Sequence, residues 1–217
     1  MADFKRFVHK WVWIALIAFC IVGVIYPVIG IAALVCMLAP SIVAFFRGRM
    51  WCGNFCPRGS FNDNILFRLS RRKNIPVFMK SNWFRNLFLI ILMSAFAVQL
   101  TFAWGDAARI GGVFVRMILI TTVITIILGI IFNQRTWCVF CPMGTMAYYV
   151  TKIMSGLKNK YVTFEKDKCV SCRLCTKACP VGIDVLSCKD KGSVTDHNCL
   201  KCNACVEKCP KKALCVK

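Results

Sequence analysis

Residues 11–46 contain no charged side chain and are apolar almost throughout. A helix needs ~20 such residues to cross the hydrocarbon core of a bilayer, so this run is about twice the required length. Tyr26-Pro27 and Gly30 interrupt it near the middle, where they mark a tight reversal. The spacing predicts two spanning helices, over about 11–27 and 29–46. Two further apolar segments, from about Leu87 to Trp104 and from about Val113 to Phe132, predict a third and a fourth span, with Gly105-Asp106 and Gly111-Gly112 forming the turn between them. Arg116, one turn inside the fourth span, is expected to snorkel to the interface or to face a pocket. The expected architecture is an α-helical membrane domain of four transmembrane helices in two repeated hairpins over residues 1–160, followed by a small α+β domain over 161–217.

A hydrophobic content of 58% is too high for an ordinary water-soluble domain, and this decides how the formal net charge of +20 is to be understood. The basic residues flank apolar spans, where the positive-inside bias accounts for them without nucleic acid as a partner. Arg47, Arg49, Arg58, Arg68, Arg71, Arg72, Lys73, Lys80 and Arg85 lie between the second and third spans. Arg135, Lys152, Lys158, Lys160 and a lysine-rich tail follow the fourth, while the opposite loops carry little beyond Arg109. Both termini are therefore expected on the cytoplasmic side of the inner membrane. Lys5-Arg6 and the apolar run after it could pass for a signal peptide, but a second span follows at once and no small-residue cleavage site is evident. Segments 61–72 and 146–158 set apolar residues at helical spacing opposite basic ones, which suits a helix lying in the lipid interface or a linker helix packed on protein.

The tail carries two cysteine runs, Cys169-x2-Cys172-x2-Cys175-x3-Cys179-Pro180 and Cys199-x2-Cys202-x2-Cys205-x3-Cys209-Pro210. This is the bacterial ferredoxin spacing, written twice. Soft thiolates suit iron–sulfur clusters, and a tight loop aims three sulfurs at one cluster while the fourth comes from the other run. Cys169, Cys172, Cys175 and Cys209 are expected to hold one 4Fe–4S cluster, and Cys199, Cys202, Cys205 and Cys179 a second. Zinc is the alternative for closely spaced cysteine pairs, but two staggered sets of four exceed what a zinc ribbon needs. Thiolates in this pattern also argue against a secreted disulfide scaffold, although the chain has sixteen cysteines.

The membrane half repeats itself. Arg49-Met50-Trp51-Cys52-Gly53-Asn54-Phe55-Cys56-Pro57-Arg58-Gly59-Ser60 follows the second span, and Arg135-Thr136-Trp137-Cys138-Val139-Phe140-Cys141-Pro142-Met143-Gly144-Thr145 follows the fourth. Two hairpins ending in one motif imply a pseudo-two-fold pair, which brings Cys52, Cys56, Cys138 and Cys141 together at the cytoplasmic surface. Proline is favoured at the first helical position, so Cys56 and Cys141 are expected as N-caps, where free N–H groups and the helix dipole lower a thiol pKa. The four thiols read as a third iron–sulfur cluster, with another thiolate metal such as copper, or dithiol–disulfide chemistry, as alternatives.

Tandem ferredoxin runs joined to four membrane spans, with Cys52-x3-Cys56-Pro57 and the one-residue-shorter Cys138-x2-Cys141-Pro142 beside them, resemble the membrane polyferredoxins. That group includes the quinol dehydrogenase subunit of periplasmic nitrate reductase systems and related 4Fe–4S membrane proteins. The resemblance covers nearly the whole chain. It implies an electron-transfer role between the quinone pool or cytoplasmic donors and a partner enzyme.

The function expected is that of an electron-transfer, oxidoreductase-type subunit of a membrane redox complex. It would link a cytoplasmic partner to the membrane, with quinone as the membrane-side reactant. Lysines such as Lys168, Lys177, Lys201 and Lys208 suit an acidic cytoplasmic electron-transfer protein. Lipid and other subunits of the complex complete the expected partners. The competing reading is a metal reductase or assembly factor, in which the ferredoxin clusters reduce copper at the C-P cysteines. Haem is not expected, since the chain has only His9 and His197 and neither lies in a span; His197 reads as a surface residue. Cys20, Cys36, Cys188 and Cys215 fall outside the ligand count.

Overall fold

The computed structural model describes residues 2–154 and 162–216. The expected boundary at 160/161, Lys158, Lys160 and the end of the 146–158 segment lie outside these residues. Helix α1 (Ala2–Trp11) runs on into α2 (Trp13–Ile25), with the Val12 N–H still donating to the Val8 carbonyl. At Tyr26 the backbone leaves the helix, and Pro27, which has no N–H to lose, opens a short 3-10 turn, Pro27–Ala32. This leads into α3 (Ala33–Arg47), which stops at Gly48 with φ +58°, a backbone setting that glycine adopts freely.

Four short elements follow: α4 (Met50–Asn54), α5 (Pro57–Phe61), α6 (Phe67–Leu69) and α7 (Val77–Lys80), with a π-type turn, Asn62–Leu66, joining α5 to α6. Helix α8 (Asn82–Phe102) then runs to the turn before α9 (Ala107–Ile131). The second motif forms α10 (Thr136–Phe140) and α11 (Pro142–Ile153), which repeat α4 and α5 in kind. Among the described residues four stretches are long and apolar enough to cross a membrane: Phe4–Ile25, which takes in His9 where the sequence had put it before the span, Pro27–Arg47, Asn82–Phe102 and Ala107–Ile131. Their outward residues, such as Ile21, Val35, Ile90 and Ile120, are exposed apolar side chains, as a lipid-facing surface requires.

Gly111 and Gly112 differ from expectation. They lie inside α9, and the turn is confined to Ala103–Asp106, where Asp106 Oδ1 accepts the Ala108 N–H at 2.9 Å and caps the helix. The glycine is needed for approach instead: a Cβ on Gly111 would run into the Pro27 carbonyl oxygen, and one on Gly30 into the Gly111 carbonyl oxygen. Arg116 is exposed on α9. The two segments with interfacial character pack partly on protein. Leu66 is buried against Gly129 of α9, while Leu69 stays exposed. Helix α11 lies along α3 and buries Ala147 and Thr151, leaving Met146 and Ile153 outward.

The C-terminal part is closed by its ends. Strand β1 (Val162–Phe164) pairs antiparallel with β2 (Leu214–Val216), Phe164 facing Leu214. Between them lie two one-turn helices, α12 (Leu174–Lys177) and α13 (Ala204–Glu207). Their cores are not separate from the helical half. One hydrophobic cluster contains Ile75, Met79, Trp137 and Phe140 together with Val162, Val194, Leu200 and Leu214. Polar contacts reinforce the junction: Lys80 Nζ donates to the Gly182 carbonyl at 3.0 Å, and Arg6 pairs with Glu207 at 2.6 Å. The start of α1 and the cysteine-rich part therefore lie at the same end of the helical bundle.

Candidate functional site

The two ferredoxin-type runs have one backbone design. Each sets alternate residues at positive φ, Ser171 (54°) and Arg173 (59°) in the first, Lys201 (51°) and Asn203 (64°) in the second. Such alternation curls successive N–H groups toward one side, forming an anion-binding nest. The loop closes in the same way in both: the Ile183 N–H points at Cys179 Sγ (3.4 Å) and the Ala213 N–H at Cys209 Sγ (3.3 Å). The thiols surround two hollows. Cys169, Cys172, Cys175 and Cys209 line one, and Cys179, Cys199, Cys202 and Cys205 line the other. Each hollow thus takes three thiols from one run and one from the other.

The C-P cysteines come from four different short elements or caps. Cys52 lies in α4 and Cys138 in α10, while Cys56 and Cys141 are the N-caps of α5 and α11, each followed by proline at the first helical position. All four line one cavity of ≈ 410 Å³. Its remaining wall is mostly apolar and is built by α2, α3, α8 and α9, including Leu16, Phe19, Met37, Leu92 and Met117. Cys36, outside the expected ligand sets, also lines this cavity. Arg58 is on its wall. The Arg58 guanidinium donates to the Ile118 carbonyl and to Thr122 Oγ1, both at 3.2 Å, and stands over the Trp137 ring.

Electrostatics at these thiols differ from the N-cap expectation. Burial pushes Cys52 up to about 11 and Cys56 up to about 12, and the neighbouring cysteines push the same way. Burial also raises Cys141. The helix N-termini do act as expected, since the Gly59 N–H favours the Cys56 thiolate and the Gly144 N–H that of Cys141, but desolvation is the larger effect. Four thiols in one apolar pocket ionise together only when a strongly positive group shares the space. The residues fit such a group. Besides the soft donors, Trp137 Nε1 and Arg49 Nε, on residues that line the cavity, are buried without a partner among the described residues, leaving N–H donors for an anionic cluster. Among the described residues no three His, Cys, Asp or Glu side chains converge on a single-ion site; the twelve thiols of the C-P and ferredoxin motifs instead line three hollows, four to each.

Sequence reasoning treated Arg49, Arg85 and Arg135 as topological charge. The structure buries all three. Arg135 forks onto Asp63, Nε to Oδ1 at 2.8 Å and Nη2 to Oδ2 at 2.6 Å, and His9 Nε2 lies 3.0 Å from the same carboxylate. Arg85 donates to Asn198 at 2.9 Å and stands over the Tyr148 ring. His197 is half-buried against Tyr148 and is not free on the surface. The repeated Arg at the head of each C-P motif was the signal that could have found Arg49 and Arg135. Nothing local marks Asp63 or His9.

The two halves meet at the second ferredoxin run. A Cβ on Gly53, beside Cys52, would collide with the Leu200 carbonyl oxygen, and Asn54 Nδ2 donates to the Lys201 carbonyl at 3.3 Å. The hollow of Cys199, Cys202 and Cys205 therefore adjoins the C-P cavity, while Cys172, in the other hollow, is exposed.

Comparison with known families agrees with this geometry. A 4Fe-4S binding domain family matches twice, over residues 29–76 and 115–161, so that each match takes in one C-P motif. A 4Fe-4S dicluster domain family matches residues 168–214. Together these matches give the chain 4Fe–4S binding domains in both its helical and its cysteine-rich parts. Among its relatives is "Putative electron transport protein YccM" of Escherichia coli, 26% identical over 207 residues that cover 85% of this chain and 55% of that protein. Two uncharacterized proteins of Methanocaldococcus jannaschii are also similar. MJ0749 is 24% identical over 85% of this chain and 70% of its own length, and MJ0750 is 26% identical over 94% and 88%. No solved structure matches the chain.

Proposed function

We propose that the chain relays single electrons between an acidic soluble partner and a lipophilic reactant in the membrane, as a subunit of a membrane redox complex. When bound, iron–sulfur clusters supply the one-electron chemistry. Cys169, Cys172, Cys175 and Cys209 hold the outer cluster, which an acidic protein reaches through the exposed Cys172 edge, with Arg173 and Lys211 at the same hollow. Cys179, Cys199, Cys202 and Cys205 hold the inner cluster, against Gly53 and Asn54. Cys52, Cys56, Cys138 and Cys141 hold a third.

The observation that carries this reading is the shared cavity: all four C-P thiols open onto an apolar space between the spans. A quinone fits its chemistry. The apolar walls exclude water, and Arg58 is the polar handle, offering N–H donors to a carbonyl oxygen. The cysteine-rich end carries most of the basic residues, which supports a cytoplasmic position for the ferredoxin part and the N-terminus.

Iron and sulfide analysis of the purified full chain tests the assignment. The expected content is ~12 irons, from three four-iron clusters. Cys56→Ser and Cys141→Ser should each abolish the same electron paramagnetic resonance signal and leave both ferredoxin signals in place. Loss of different signals in the two variants would rule out a shared site. A quinone analogue should perturb the C-P signal alone, and no perturbation of any signal would remove the quinone from the proposal.

A further inference from the structure

The two C-P motifs are clasped to each other, not merely adjacent. Arg49, which heads the first motif, donates from Nη2 to the carbonyl of Cys138 in the second, at 2.6 Å. Arg135, which heads the second, donates from Nη1 to the carbonyl of Cys52 in the first, at 2.9 Å. The glycines complete the exchange. A Cβ on Gly59 would stand 2.7 Å from Arg135 Nη1, and one on Gly144 would stand 2.6 Å from Arg49 Nη2. Each motif's glycine thus makes room for the other motif's arginine, and both arginines are fully buried.

The pair is alike in shape but not in charge. Arg135 is neutralised by the two-point ion pair with Asp63. Among the described residues Arg49 makes no ion pair. Its further contact is a 3.4 Å hydrogen bond to the uncharged Asn198 side chain, next to Cys199. Arg49 lines the cavity with the four thiols; Arg135 does not line it but reaches one thiol, donating from Nη1 to Cys138 Sγ at 3.6 Å. Arg58, the other cation on that wall, is the same in every comparison below. A cluster's reduction potential follows the net charge around it, and an uncompensated buried cation favours the reduced, more negative state.

We propose that the unpaired charge of Arg49 is the main setter of the reduction potential of the C-P centre, while Arg135, its charge balanced by Asp63, clasps the motifs and adds only the smaller effect of its hydrogen bond to Cys138 Sγ. This rests on the reading that the four cysteines share one cluster. Potentiometric titration of the full chain in detergent, following the C-P signal, tests it. Arg49→Gln should shift that midpoint to lower potential. Arg49→Lys, which keeps the charge but not the fork, should stay close to wild type. Arg135→Gln should shift it less than Arg49→Gln. Arg135→Gln removes a buried clasp; Asp63→Asn, which also lowers stability, keeps both arginines and their donations to the Cys52 and Cys138 carbonyls, and by freeing the charge of Arg135 it should raise the midpoint. Iron content identifies variants that still carry the centre. Equal shifts for Arg49→Gln and Arg135→Gln, or an Arg49→Lys that falls as far as Arg49→Gln, overturn the assignment to Arg49. A wild-type chain with ~8 irons and no signal sensitive to Cys56→Ser overturns the shared cluster itself, and the inference with it.

Discussion

Asp63 shows how one side chain conditions a site it does not touch directly. Burial raises its pKa, but the charge and hydrogen bonds of Arg135, then those of His9, more than offset this and hold the carboxyl well below the usual carboxylate range. A carboxylate with a depressed folded pKa stabilises the fold at every pH above its unfolded value of ~3.9, and loses that contribution as the pH falls toward the folded value. Asp63→Asn should therefore lower stability at neutral pH. Breaking a buried pair of this kind costs about 3–5 kcal/mol, with the lower end expected because the Asp63 side chain is 29% accessible. Denaturation followed by circular dichroism across pH should show a constant gap to wild type down to about pH 4 and a narrowing gap below it. A gap that closed on the alkaline side instead would overturn the assignment of this stability to the Asp63 carboxylate.

At the scale of elements, the membrane half depends on glycines that let backbones approach. Gly30 in the 3-10 turn and Gly111 in α9 lie carbonyl to Cα, and the atoms a side chain would meet are backbone, which cannot rotate away. Gly111→Ala should force α9 from the Pro27–Ala32 turn. Overpacking of this type costs about 1–3 kcal/mol or more, so a lower midpoint of thermal unfolding in detergent is expected. Gly112→Ala is the matched control, since its Cβ would meet only Pro27 Cβ at 3.9 Å, an ordinary contact; it should leave the midpoint unchanged. The same physics explains why Gly111-Gly112 was misread as a turn. A glycine pair in sequence signals freedom from a side chain, and that freedom serves a bend or a close contact equally well.

For the whole molecule, the proposed relay depends on how the ferredoxin part sits on the helical part. Their hydrophobic cores are continuous, and Gly53, beside Cys52, admits the carbonyl of Leu200, beside Cys199. Gly53→Leu should push these apart. The expected result is slower electron exchange between the ferredoxin clusters and the C-P centre in rapid-mixing experiments, with all iron still bound. Exchange at the wild-type rate would mean that electrons enter the C-P centre by another route.

Much of this was legible in the residues alone, because the constraints are local or periodic. A charge-free run twice the thickness of a bilayer has to become two spans. Cysteines at ferredoxin spacing declare their sets of four, and the repeated motif after spans two and four declared that two cysteine pairs belong together. What a residue does across a fold was not legible. Arg49, Arg85 and Arg135 look like any basic flank in sequence, and only the packed structure buries them and sends Arg49 and Arg135 to each other's motif. Asp63 and His9 are far apart in sequence and meet only once α1 lies beside the turn after α5. Thiol ionisation was judged from the helix N-cap, a local effect, whereas desolvation in the assembled pocket is larger and has the opposite sign. Spacing along the chain determines which groups can act together; burial and charge pairing arise between distant segments, so only the tertiary structure decides them.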